Sequence, residues 1–268
     1  MMKRRQFITY SGISALFFSK LFPSFHFSSL AAQETNSSTL SIKYLGHTCF
    51  LFSGGGLRVL VNPFLTIGCT AGYRLPNVEA DLVITSSHMW DEGAADGLPG
   101  TPRMLHEPGV YKINGLGFQG ISIDHDRKGG KQFGNNVAWR WTQAGMHIVH
   151  LGGAAAPIDL EQKILLGNPD IACIPVGGGP KAYNAVEGRQ AMQVLNPKIM
   201  IPTHYRTSAA DTENCDIDPL NNFLELEKST NIKKIHSDQL SLTSKDLPQQ
   251  DTHIYIFDHE SLLVNKRI

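Results

Sequence analysis

No CxxC pair occurs in this chain of 268 residues, although it carries four cysteines, Cys49, Cys69, Cys173 and Cys215. That spacing excludes a zinc knuckle or ribbon. No surplus of positive charge exists either: 24 Lys and Arg balance 24 Asp and Glu. Without basic patches the chain lacks the electrostatic footprint that phosphate backbones require, so no nucleic-acid partner is expected. Linkers and low-complexity blocks are missing, which leaves little basis for dividing the chain into several modules. What is present suits a packed core: 41% hydrophobic residues against 18% charged ones.

The first 32 residues read as an export signal. Lys3-Arg4-Arg5-Gln6-Phe7-Ile8 is a paired-arginine head, the apolar run Ile8–Phe18 follows, and Ser28-Ser29-Leu30-Ala31-Ala32 is a cleavage region. Lys20 and Pro23 interrupt the run, leaving it too short for ~30 Å of hydrocarbon, so no stable membrane span is expected in the mature chain. Such signals resemble the twin-arginine type. They imply a bacterial periplasm, or a thylakoid lumen in a photosynthetic bacterium. Removal of Lys3, Arg4, Arg5 and Lys20 leaves 20 basic against 24 acidic side chains, a mildly acidic mature protein. In an oxidising compartment Cys69 and Cys215, both in loop-like sequence, could pair, whereas Cys49 and Cys173 sit in apolar runs and read as small core residues. The expected organisation is a signal over 1–32, a flexible segment over 33–39 and one domain over 40–268.

Short apolar runs predict strands at Leu40–Leu45, Cys49–Ser53, Leu57–Val61, Leu82–Thr85, Val110–Ile113, Gly117–Asp124, Val137–Thr142 and His147–Leu151. Gly54-Gly55-Gly56 predicts a hairpin turn. Helices are predicted over Pro157–Leu166, Asn184–Leu195 and Pro219–Lys228, alternating with strands at Ile171–Val176, Lys198–Pro202 and Thr252–Phe257. Early strands followed by strand–helix alternation predict an α/β fold of two packed sheets with helices outside, in a single domain.

Three loops following strands carry chemistry: His88 with Asp91, Asp124-His125-Asp126, and His204. Ligands at strand ends converge from distant positions while the sheet fixes their geometry. Neutral imidazoles with a carboxylate suit Zn, Fe or Mn.

The order of these loops, with "IKYLGHTCFLF" and "GGLRVLVNPF" at the start and "NPDIACIPVGGGPKAYNAVEGRQAMQVLNPKIMIPTHYRT" near the end, resembles the metallo-β-lactamase superfamily. The similarity runs from about Ser41 to Thr207 and points to the ascorbate-6-phosphate lactonase-like branch. It implies an αββα sandwich. The family's HxHxDH ligands fall on Ser86, His88, Trp90 and Asp91. Its later histidines fall on His125 and His204, its bridging aspartate on Gly153, and a supporting aspartate on Asn62. Three ligand types survive, so the resemblance implies a rebuilt one-metal site: His88, Asp91, His125 and His204 around one divalent cation. Zn is the first choice, with Fe or Mn as alternatives, and no metal at all if the site is a relic. Asp91 and Asp126 are the candidate catalytic carboxylates, with Asp124 and Glu92 as further orienting groups. His47 lines the pocket in the family without ligating, and Lys181, Tyr183 and Arg206 are candidate substrate contacts. Trp90 reads as a core plug, with a stacking surface as the alternative, and His150 as structural.

Two functions remain open. One is a metal-dependent hydrolase of a small ester, lactone or phosphoester, acting through metal-activated water. The other is a catalytically inactive exported member of the fold that binds a small ligand or a protein. The signal residues alone do not separate them.

Overall fold

A computed structural model of the chain describes residues 38–227 and 231–264; the export-signal reading of residues 1–32 lies outside them. In chain order the strands are β1 (Leu40–Gly46), β2 (Cys49–Gly54), β3 (Leu57–Val61), β4 (Leu82–Ile84), β5 (Arg103–Leu105), β6 (Gly109–Ile113) and β7 (Leu116–Asp124). They continue as β8 (Asn135–Gln143), β9 (Met146–His150), β10 (Ile171–Pro175), β11 (Ile199–Thr203), β12 (Ile232–Ile235), β13 (Gln239–Leu242) and β14 (His253–Phe257). Helices α1 (Leu160–Leu166), α2 (Ala185–Leu195) and α3 (Asn221–Leu224) interleave with the later strands.

Six strands form one sheet in the order β13-β1-β2-β3-β4-β5, and eight form the other in the order β12-β14-β11-β10-β9-β8-β7-β6. Alternation explains the first: in β1, Leu40, Ile42 and Tyr44 are buried while Ser41 and Lys43 are half-buried on the other face. Gly55 and Gly56 both take positive φ, which lets β2 turn back onto β3 in a hairpin. In contrast, β10 and β11 are buried along their whole length, because both faces of the larger sheet are covered and their pairing is parallel. One face packs against the smaller sheet through Phe50, Phe52, Trp139 and Trp141. The other is covered by Leu166 of α1 and by Ala191, Met192 and Leu195 of α2. This is the expected α/β sandwich.

Local signals set the helix limits. Asp159 and Asn184 cap α1 and α2 by accepting hydrogen bonds from the backbone N–H of Gln162 and Glu187, whose side chains reach back in turn. Asn196, in the left-handed region, ends α2. The long helix predicted over Pro219–Lys228 shrinks to the single turn of α3, which Leu220 begins without a side-chain cap. Three short strands were not predicted: β5, β12 and β13, each carrying exposed or half-buried polar positions.

The two sheets are also stitched by polar bonds. Trp139 Nε1 donates to Thr85 O just beyond β4, at 2.9 Å, and Gln143 Nε2 donates to Leu57 O at 2.7 Å. The first bond pins the start of the β4 loop, from which the candidate site is built.

Candidate metal centre

The carboxyl ends of β1, β4, β7, β9, β10 and β11 each open into a loop that reaches the same region. His47 comes from the β1–β2 turn, Asp91 and Glu92 from the loop after β4, His125 from the loop after β7, Lys181 from the loop after β10, and His204 from the first position after β11. His47 and His204 both hold left-handed backbone conformations, with φ of 55° and 51°. For a side chain larger than Gly this costs roughly 1 kcal/mol each, and such strain tends to sit where function needs it. Here it turns two imidazoles from opposite sheets towards each other, with ring centroids 4.4 Å apart.

His47, Asp91 and His204 offer ligand atoms that all lie within 4.8 Å of one another. His47 Nε2 stands 3.9 Å from Asp91 Oδ2. Lys181 Nζ lies 2.5 Å from the same oxygen. His47 Nε2 and both ring nitrogens of His204 are buried with no hydrogen-bond partner among the described residues. Burial pushes the His47 imidazole down to about 4, with Asp91 opposing and Lys181 assisting. Burial, followed by the facing His47, holds His204 well below the usual histidine range. Both rings are therefore neutral near pH 7, with free lone pairs. Burial would raise the Asp91 carboxyl, but the Lys181 ammonium and then the two histidines bring it down to about 2. Buried neutral imidazole nitrogens without partners, beside an ionised carboxylate that Lys181 alone neutralises, are the donor set of a divalent cation site. The residues present fit a metal.

Behind this cluster, Glu92 and His125 are both 0% exposed. His125 Nδ1–H donates to Gly153 O at 2.6 Å, which leaves the Nε2 lone pair facing Glu92 Oε2 at 3.5 Å. Among the described residues His125 Nε2 and Glu92 Oε1 have no hydrogen-bond partner. Burial, and then the charge of Asp91, push the Glu92 carboxyl up to about 8.

The other sequence-predicted residues fall elsewhere. His88 is exposed on the cavity wall, with its ring 5.1 Å from that of His106, and does not join the cluster. Its place is taken by His47, which the sequence placed beside the metal but not on it. Asp126 is not free to act as a base: its carboxylate accepts backbone N–H bonds from Lys128, Gly130, Gln132 and Phe133. Burial would raise its pKa, but these four donors take it below the ordinary carboxylate range. It holds the 126–133 loop. Tyr183 is buried in the core under α2, with its hydroxyl on Ala156 O at 2.5 Å, so it contacts no substrate from the main cavity. Arg206 is exposed and lies outside the cavity lining. Trp90, expected as a plug, is 68% exposed and forms a cavity wall. Asn62 and Ser86 compensate each other: Ser86 N–H donates to Asn62 Oδ1 at 2.8 Å, and Asn62 Nδ2 donates to Ser86 Oγ at 3.1 Å. His150 is structural, accepting from Gly152 N and contacting Thr48 O.

The cluster opens into a cavity of about 850 Å³. Trp90, Phe133, Ile67 and Ile217 give it apolar walls, and Glu213 and Asp216 stand at its rim. Cys69 and Cys215 also line it, joined as a disulfide across 146 positions of sequence. Cys49 and Cys173 are free and buried, as expected of core residues. Sequence reasoning missed this rim, because no motif marks the 211–217 loop. It also missed Arg127, whose guanidinium binds Glu187, Gly179 O and Ala182 O and so pins the loop that carries Lys181.

Two stacked sheets with a histidine–carboxylate cluster at their strand ends define a metallo-β-lactamase fold. The chain belongs to the beta-lactamase superfamily domain family, whose match covers residues 41–204. A UPF0173 metal-dependent hydrolase of Thermococcus onnurineus is 28% identical over 206 residues, 65% of this chain and 89% of that protein. A UPF0173 metal-dependent hydrolase of Thermus thermophilus is 26% identical over 203 residues, 63% of this chain and 84% of that protein. Among solved structures, a candidate Zn-dependent hydrolase of the metallo-β-lactamase superfamily from Thermotoga maritima has a TM-score of 0.66 and 25% identity, covering 81% of this chain and 98% of that one. An isothiocyanate hydrolase from Delia radicum gut bacteria shares the fold, with a TM-score of 0.57 at 14% identity and coverage of 76% and 98%.

Proposed function

We propose that the chain is a metal-dependent hydrolase whose cation is held by His47, Asp91 and His204. One observation carries this reading: buried, neutral imidazole nitrogens without partners converge with an ionised carboxylate on one point. Zn, Fe and Mn all suit that donor set. Held by these three residues, a divalent cation would supply Lewis-acid polarisation of a scissile carbonyl or phosphoryl group and would acidify water towards pKa ~7. The remaining work falls to the chain itself. Asp91 supplies the negative charge and shares it with Lys181. The Lys181 ammonium, held at the cavity wall by its loop, is placed to bind an anionic or carbonyl oxygen of the substrate. Buried Glu92 keeps a proton near pH 7 and can release it as a general acid. The apolar walls exclude water from the non-reacting part of a small substrate.

The substrate class in this reading is a small ester, lactone or phosphoester, in line with the lactonase-like branch that the opening and closing segments resemble. The chain is exported through residues 1–32 as a twin-arginine signal, with 33–39 as a flexible lead-in and 40–268 as the working domain. Export to an oxidising compartment accords with the Cys69–Cys215 pairing. No helix among the described residues is long and apolar enough to cross a membrane.

A second reading, a ligand-binding module without catalysis, draws on the Lys181–Asp91 pair, in which an ammonium supplies the positive charge a metal would bring. Hydrolysis of a panel of chromogenic esters, lactones and phosphodiesters separates the two. The hydrolase reading expects activity that chelation removes, that Zn or Mn restores, and that Asp91→Asn lowers by at least 100-fold, the scale of a lost electrostatic catalytic group. Activity on none of the panel with metal loaded favours the binding module.

A further inference from the structure

We propose that the substrate carries an organic cation at the end remote from the bond that is broken, and that Glu213, Asp216 and Trp90 select it; the proposal rests on the hydrolase reading and names its substrate class. The cavity differs in sign between floor and mouth. At the floor His204 is 1% exposed, and both its ring nitrogens are unpartnered among the described residues, so this end is built to meet a ligand. Among the charged side chains that line the cavity, Asp91 and Lys181 neutralise each other. Glu213 and Asp216, both exposed at the mouth, form no ion pair among the described residues. The mouth therefore keeps uncompensated negative charge, which an ammonium or guanidinium group would meet. Acidity alone would suit an inorganic ion equally, but two further features favour an organic one. Trp90, 68% exposed, offers an aromatic ring on the same cavity, the surface that attracts alkylammonium groups. Ile67, Phe133 and Ile217 add apolar wall, which covers hydrocarbon that a hydrated metal ion does not have.

Backbone bonds and the disulfide hold this mouth in place. Leu65 N–H donates to Trp90 O at 2.7 Å, and Asp211 N–H donates to Gly68 O at 2.9 Å. The Cys69–Cys215 disulfide joins the same segments again. Residues 65–69 thus tie the aromatic wall to the loop that carries both acids. On its other side that loop rests against the turn leading to Lys181: Asp218 N–H donates to Gly177 O at 2.6 Å. A Cβ on Gly179, whose φ is +73°, would stand 3.1 Å from Ile217 Cγ2 and 3.4 Å from Asp216 Oδ1, so glycine there lets Asp216 sit close to the turn. Asn214, between the acids, commits its side chain to Asp211. Glu213 and Asp216, on either side of Cys215, remain available. Charges fixed in advance lose little freedom when a ligand arrives, so the arrangement favours selection.

The test is calorimetric binding of product-like acids, from butanoate to octanoate, to the full-length protein as purified. Each acid is used as a pair: one chain ends in trimethylammonium, the other in tert-butyl, its neutral isostere. Exposed charge pairs and a cation–aromatic contact together should make the cationic chain bind about tenfold tighter at low salt, at the chain length that fits best. That ratio should fall towards one in Glu213→Gln/Asp216→Asn, drop severalfold in Trp90→Ala, and shrink as added salt screens the mouth. Melting curves verify folding; should the double variant not fold, each single substitution replaces it, with the ratio expected to fall at least by half. Equal affinities for the paired chains at every length would overturn the proposal, as would binding of neither, or a ratio that Glu213→Gln/Asp216→Asn leaves intact. The p-nitrophenyl esters of the same acids separate it from the hydrolase reading. Preferential binding without hydrolysis of either ester keeps the assignment of the mouth and removes the hydrolase reading. Hydrolysis of both esters with equal affinities does the reverse.

Discussion

Raising the pH of the metal-free protein from 6.5 to 8 should cost the wild type stability that a Glu92→Gln variant keeps. Its carboxyl is 0% exposed. Burial and the charge of Asp91 hold its proton up to about 8, against an ordinary 4.5. Above pH 4.5 the folded state therefore carries a proton that the unfolded chain releases, so this group's contribution falls as pH rises, until 8 is passed. The histidines act in the opposite sense. His47 and His150 are pushed down from 6.5 to about 4 by burial. They are neutral in the fold and half-charged in the unfolded chain at 6.5, so each still gains about 0.4 kcal/mol by pH 8, and His125, His147 and His204 are lowered in the same way. The Glu92 contribution is therefore read as the difference between wild type and Glu92→Gln, in which the histidine gains cancel. At ~1.4 kcal/mol per pH unit for one proton that difference is about 2 kcal/mol, which is roughly 4–8 °C in Tm for a chain of this size. Thermal melting of both proteins in chelator at pH 6.5 and 8 measures it, and a Glu92→Gln variant whose Tm changes over this interval as the wild type's does overturns the Glu92 assignment.

Three more expectations follow from the geometry. Gly153→Ala should destabilise the protein by about 1–3 kcal/mol by overpacking, since the added methyl meets His125 and both Glu92 oxygens; urea denaturation reads this, and an unchanged midpoint counts against it. Reduction of the Cys69–Cys215 disulfide, which spans 146 residues, should lower stability by about 2–5 kcal/mol in the chain-entropy account and loosen the cavity rim. A Tm unaffected by dithiothreitol would contradict that. Lys181→Met removes the ammonium from Asp91, so metal affinity should rise tenfold or more, ~1.4 kcal/mol; calorimetry giving equal or weaker binding would show that Lys181 supports the site and does not compete for it.

Much of the fold was legible because burial leaves periodic marks. The continuous apolar runs of β10 and β11 and the alternation in β1 could be recognised from residue type alone. Strands β5, β12 and β13 left no such mark, because their residues are largely exposed or half-buried and their pairing comes from the sheet. The site was legible in its parts and not in its wiring. Asp91 and His204 were anticipated as cluster members, but the cluster's third member is His47, not His88. Spacing along the loop cannot foretell that His47 takes φ 55° and swings inward, or that His88 turns out towards His106. Trp90 was misjudged because a tryptophan at a former ligand position suggests filling, whereas the loop carries it to the cavity wall. Asp126 sits beside a candidate ligand, yet four backbone donors claim it. Only a folded backbone reveals that competition.

His47, Asp91 and His204 are proposed to hold a metal ion. Metal content by mass spectrometry, on protein purified after native export without added metal, tests it most directly. At least one equivalent of Zn, Fe or Mn per chain is expected, lost in His204→Ala and in Asp91→Asn while both variants stay folded. Wild-type protein free of metal, with a Tm that neither chelator nor added Zn²⁺ changes, would contradict it.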